Sequence, residues 1–174
     1  MKKLILIGGT MGVGKTTTAR ILRDQLENSV LLDGDWCWDM HPFQVTEETK
    51  AMVMDNICHL LNNFLGCSSI DNVVFCWVMH EQAIIEEILS RLHEPYQLHS
   101  ISLVCSAERL AERIERDVAA GLRCADAIDR SIARLPLYAQ LNTVKIDVSE
   151  ITPEEAARRI AGLWQDRCSP ESAK

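Results

Sequence analysis

The stretch Gly9-Thr10-Met11-Gly12-Val13-Gly14-Lys15-Thr16 constrains this chain more than any other. It follows a continuous apolar run at residues 3–7, too short for a helix and closed by Gly8-Gly9, which reads as a buried parallel strand. It precedes residues 15 to about 27, where Ala19, Leu22 and Leu26 recur at helical spacing. A strand, a glycine-rich turn and a helix in that order make an anion cradle. The glycines let the backbone curl without Cβ clashes, so successive N–H groups face inward. The following helix turns its positive end to the same anion.

The spacing G-x-x-x-x-G-K-[ST] is that of a P-loop. Lys15 is expected to reach the β- and γ-phosphates of ATP, and the Thr16 hydroxyl to ligate Mg²⁺. The cradle expected to bind nucleotide is therefore Gly9, Thr10, Met11, Gly12, Val13, Gly14, Lys15, Thr16 and the next residue, Thr17.

The rest of the chain alternates strand and helix. Strands are predicted at residues 30–32, 73–79, 100–105 and 144–148. Helices are predicted after Thr46, from 81 to about 92, from Ser106 to about 120, at about 125–140, and from Thr152-Pro153-Glu154-Glu155 to 164. Such alternation implies an α/β fold in three layers, a parallel sheet covered on both faces. There are no repeats and no linker, so residues 1–168 form one expected domain and 169–174 a frayed polar tail.

With these motifs in place, the chain resembles the small P-loop kinases, among them shikimate kinase, gluconate kinase, adenylylsulfate kinase and chloramphenicol phosphotransferase. The resemblance implies a P-loop NTPase fold with sheet order 2-3-1-4-5 and a helical lid over the nucleotide, here about 113–130. Asp33-Gly34-Asp35 closes the second strand, at the sheet end that faces the ligand crevice. The chemistry needs one carboxylate near Mg²⁺ and another to take the acceptor's proton. Two acids one residue apart in an extended chain point in similar directions. By likeness to shikimate kinase, Asp33 goes to the metal and Asp35 to the base.

Arg113, Arg116 and Arg123 fall where these kinases carry lid arginines, with Arg116 and Arg123 as catalytic candidates and Arg113 on the nucleotide; Arg130 and Arg134 are further candidates. The loop at 148–152 resembles the segment beside adenine. One departure stands out. The third strand ends without an acid, at Cys76-Trp77-Val78-Met79-His80, so either Asp33 or Glu81 must support magnesium.

Charge bears on the acceptor. The net charge of −7 argues against a nucleic-acid partner. From Asp24 through Ser90 the only Lys or Arg is Lys50, against twelve Asp or Glu. An anionic acceptor calls for bidentate arginine, so a neutral or cationic hydroxyl compound is expected. Trp36, Trp38 and His80 are its candidate contacts, and Trp77, inside the predicted strand, is assigned to the core.

No apolar run is long enough to span a membrane, and the apolar segment after Met1-Lys2-Lys3 is too short for a signal peptide. The seven cysteines form no CxxC pair, and Cys37-x3-His41 with Cys76-x3-His80 matches no usual zinc module. The reading is a cytoplasmic ATP- and magnesium-dependent kinase of a small hydroxyl compound, monomer or homodimer. A nucleoside or nucleotide kinase and a regulatory NTPase remain the alternatives.

Overall fold

A computed structural model describes residues 1–122, 124 and 126–165, with the side chain of residue 165 excepted. The expected tail at 169–174 and the lid candidate Arg123 lie outside the described residues. The sheet is five-stranded in the order β2-β3-β1-β4-β5, as the resemblance implied. Its strands are β1 (Lys2–Gly8), β2 (Ser29–Asp33), β3 (Asn72–Cys76), β4 (Tyr96–Val104) and β5 (Val144–Asp147), paired in parallel throughout.

β1 lies between β3 and β4, and Leu4, Ile5, Leu6 and Ile7 are fully buried. Side chains alternate across the sheet, so Ile5 and Ile7 enter one core and Leu4 and Leu6 the other. That explains the unbroken apolar run, since a strand covered on both faces has no side for polar residues. Each such burial contributes about 1.5–3 kcal/mol.

Among the described residues six α-helices cover the faces: α1 (Lys15–Gln25), α2 (Glu47–Gly66), α3 (Gln82–Ser90), α4 (Ala107–Ala119), α5 (Ala127–Ala139) and α6 (Pro153–Gln165). The predicted starts hold in detail. Thr46 accepts from the Thr49 N–H and Thr49 reaches back to the Thr46 N–H, a capping box that fixes the start of α2. Ser106 caps α4 through the Arg109 N–H, and Thr152 accepts from the Glu155 N–H at α6. Val53, Ile57 and Leu61 of α2, four residues apart, are fully buried.

Two strand boundaries differ by more than one residue from the sequence expectation. β4 begins at Tyr96, because residues 96–100 pair with β1 beyond the reach of β5. β3 stops at Cys76 instead of running to Met79. Met79 is buried with φ at +36°, a backbone region that cannot continue a strand.

The chain therefore lays β2 and β3 on one side of β1 and then crosses to add β4 and β5 on the other. A crevice opens at the carboxyl ends of the strands where the winding reverses. No helix among the described residues is long and apolar enough to cross a membrane.

Candidate active site

The turn between β1 and α1 borders a cavity of about 1160 Å³, lined by residues 11–18 on the nucleotide side. Gly12 has φ of +83°, and a Cβ there would lie 2.6 Å from Cγ1 of Ile114 on α4, so neither its conformation nor its surroundings accept a side chain. Gly9 and Thr10 are buried beneath the turn and do not line the cavity. Their part is anchorage. Gly9 N–H donates to Val78, and the Thr10 hydroxyl donates to the Ser131 carbonyl of α5 at 3.0 Å, fully buried. Lys15 Nζ donates to the Thr10 carbonyl at 3.0 Å, with the ammonium held over the turn.

Asp33 is buried at the end of β2 and bound at both oxygens. Oδ2 accepts from the Thr16 hydroxyl at 2.7 Å, and Oδ1 accepts from the Asp35 N–H at 3.1 Å. The sequence reading took Asp33 and Asp35 as neighbours in an extended chain. Instead a 3-10 turn spans Gly34–Trp38, with Asp33 as its cap. The turn separates the two carboxylates. Asp33 stays under Thr16, whereas Asp35 is exposed and lines the cavity.

Thr16 and Asp33 offer the hard oxygen donors that suit a magnesium ion arriving with its phosphates. Among the described residues no three His, Cys, Asp or Glu side chains gather as a metal cage, and the Cys37, His41, Cys76 and His80 spacing does not assemble one. At the place on β3 where an acid is missing stands Cys76. Cys76 is the register partner of Asp33, and its thiol lies within the influence of Asp33, Thr16 and Lys15. Burial and the Asp33 charge push its pKa far up, so the thiol stays protonated and neutral. Glu81 pairs with His80 at 3.3 Å and does not line the cavity. Of the two acids, Asp33 is the one hydrogen-bonded to Thr16.

The arginines divide. Arg113 of α4 donates to the carbonyls of Val13 in the turn and Val148 after β5, clasping the cradle to the 148–152 loop. That loop lines the cavity with Val148, Ile151 and Thr152. Arg116 lines the cavity and donates from Nε to the Glu112 carbonyl. Arg130 and Arg134 of α5 line it from the other side. Of the lid expected at 113–130, the α4 portion is anchored, with Ile114 fully buried; the described residues Gly121, Leu122, Cys124 and Asp126 are exposed.

The cavity lining changes two aromatic assignments. Trp36 is 52% exposed and does not line the cavity, whereas Trp38 does. Trp77, assigned to the core, lies past the end of β3 and lines the cavity. Its indole packs on Gly34, where a Cβ would be 2.4 Å from Trp77 Cγ. A glycine between the two acids was the available signal: something bulky crosses that backbone. The segment 77–80 is held from three sides, by Trp77 N–H on Ile7, Gly9 N–H on Val78, and the Tyr138 hydroxyl on the Val78 carbonyl at 2.6 Å. That hold keeps Met79 in its strained conformation beside the site.

His80 lines the cavity next to this strain. Burial first, then the Arg134 charge, lowers its pKa, with Glu81 opposing. It is a neutral imidazole at neutral pH. Charge in the cavity also differs from the linear count. The segment from Asp24 to Ser90 stops one residue short of Arg91, which lines the cavity and pairs with Asp55 and Glu87.

The fold places the chain among known proteins. It superposes on the tunicamycin resistance protein of Deinococcus radiodurans with TM-score 0.69 and 17% identity, over 94% of this chain and 95% of that one. A gluconokinase from Sinorhizobium meliloti gives TM-score 0.69 and 17% identity over 95% of both chains. Shikimate kinase from Acinetobacter baumannii, in complex with shikimate, gives 0.63 and 20% over 97% and 96%. A comparison with curated proteins finds no significant match. The fold is thus the one shared with small P-loop kinases. The family model described as the AAA domain matches residues 5–121, which take in the cradle, both acids and α4. By that match over more than half its length, the chain belongs to the AAA domain family.

Proposed function

We propose that the protein is an ATP-dependent phosphotransferase that moves the γ-phosphate to a hydroxyl of a small neutral or cationic compound. One observation carries this reading: the cradle and the exposed carboxylate of Asp35 line the same cavity, and Thr16 of the cradle donates to Asp33 at 2.7 Å.

In this mechanism the triphosphate lies against the backbone of residues 11–16, with Lys15 on its β- and γ-oxygens. Thr16 and Asp33 would hold Mg²⁺, which supplies charge neutralisation at the phosphates. The acceptor oxygen attacks the γ-phosphorus while its proton passes to the Asp35 carboxylate. The bond from phosphorus to the bridging oxygen breaks, and ADP leaves. Arg116 and Arg134 contribute positive charge around the migrating phosphoryl group. The solved structures that share this fold include a gluconokinase and a shikimate kinase, which supports the reading at the level of reaction class. The six free cysteines among the described residues agree with a reducing, cytoplasmic setting.

Acceptor-dependent ADP release tests the proposal. With a productive alcohol, Asp35→Asn should lower kcat by about 10²–10⁴-fold while ATP still binds. ATP turnover that no hydroxyl compound stimulates would favour the regulatory NTPase instead.

A further inference from the structure

Among the charged residues that line the cavity outside the phosphate cradle runs a contiguous set of large apolar side chains. It starts at Trp77, whose ring lies on the Gly34 backbone between the two acids. It includes Trp38, Met54 and Ile84, and it reaches solvent at Phe43 and Val45. Phe43 is 64% and Val45 56% exposed, which leaves apolar area at the cavity mouth for a ligand to cover. The Trp38 and Phe43 rings stand 5.5 Å apart at 47°, and the one Trp38 donor is engaged by the Gln44 carbonyl at 3.1 Å.

Several cations of the same cavity arrive already paired. Lys50 binds Glu47 at 2.9 Å, Arg91 binds Asp55 and Glu87 at 2.5 Å each, and Arg130 binds Asp126 at 3.2 Å. An anionic acceptor drawn to Lys50, Arg91 or Arg130 would have to displace one of these carboxylates, while Arg116 and Arg134 are assigned above to the migrating phosphoryl group. A small polyol would leave Phe43 and Val45 in water.

We infer that the acceptor is a hydroxyl compound with a bulky, uncharged apolar or aromatic body, its hydroxyl at Asp35 and its body along Trp77, Trp38 and Phe43. The inference rests on the phosphotransferase reading and narrows its substrate class. The transfer is the one balanced above: the acceptor oxygen gains phosphorus, loses its proton to Asp35, and ADP departs.

Two sets of alcohols decide it in a coupled ADP-release assay with Mg-ATP. One set holds 2-naphthylmethanol, indole-3-ethanol and cyclohexylmethanol; the other holds glycerol, glucose and gluconate. The apolar set should exceed the polar set in kcat/KM by at least about tenfold. Phe43→Ala, at an exposed position where folding is not at stake, should lower kcat/KM for the apolar set by about tenfold and leave the KM for ATP unchanged. Preference for the polar set, or an unaltered Phe43→Ala variant, overturns the inference and leaves the phosphotransferase reading standing. If no alcohol of either set accelerates ADP release from a protein that binds ATP, the phosphotransferase reading falls and this inference falls with it.

Discussion

The proposed phosphate cradle and the proposed acceptor wall line one cavity and are built in opposite ways. The cradle is a single contiguous turn whose binding groups are backbone amides, tied down by Thr10 on Ser131 and Arg113 on Val13. The acceptor wall is made of side chains from the 3-10 turn, the loop before α2, α2 itself, the end of β3 and α3. Part of that wall is open to solvent, as at Phe43 and Val45. A phosphate is the same in every nucleotide, so its site can be rigid and local. An acceptor is particular, and side chains gathered from several elements can be changed without disturbing the sheet.

A change at Gly12 should break the cradle alone. Gly12→Ala forces a Cβ to 2.6 Å from Ile114 at a φ of +83°, so the turn must shift. The expected cost is about 1–3 kcal/mol of stability, with ATP affinity reduced at least about tenfold. Thermal unfolding and nucleotide titration read the two effects. Intact ATP affinity in this variant would mean that the cradle is less rigid than its contacts indicate.

Gly34→Ala is the counterpart on the other wall. A Cβ there meets the Trp77 indole at 2.4 Å, and overpacking of this kind costs about 1–3 kcal/mol. The displaced indole and Asp35 should raise the acceptor KM and lower kcat, with a smaller change in the KM for ATP. Equal changes in both KM values would erase the distinction between the two walls.

The smallest effect sharpens the comparison through pH. The folded pKa of His80 lies below its ordinary value of 6.5. As pH falls through 6.5 the unfolded chain takes up a proton that the folded chain resists, so stability is full above that value and declines with acid. The decline continues until pH reaches the lowered folded pKa. His80→Gln should flatten this part of the denaturation-midpoint profile and leave the alkaline limb unchanged. An unaltered acid slope would show that His80 is as easily protonated folded as unfolded.

Legibility along the chain followed the same division. The cradle was readable because its evidence is consecutive: four glycines, a lysine and a threonine between an apolar strand and an amphipathic helix. Asp33 and Asp35 were readable as a pair, but their separation was not. It depends on a 3-10 turn and on the Thr16 hydroxyl, seventeen positions away in the chain. Trp77 departed from expectation because where a strand ends decides where its next side chain points, and Trp36 because it sits exposed on the 3-10 turn. The end of β3 is set by contacts from β1 and α5, which no local pattern encodes. Arg91 escaped a count along the chain because a cavity is gathered from distant segments.

The amino-acid order by itself therefore determined the strand–turn–helix cradle, the alternation that makes the sheet parallel, and the helix starts at Thr46, Ser106 and Thr152. These depend on periodicity, capping and glycine geometry, which act over a few residues. Tertiary structure alone decided that Arg113 clasps the glycine-rich turn to the loop after β5, that Cys76 sits beside Asp33, and that Trp77 rather than Trp36 lines the cavity. Those outcomes depend on contacts between residues far apart in the chain, and such contacts exist only once the sheet has brought its strand ends together.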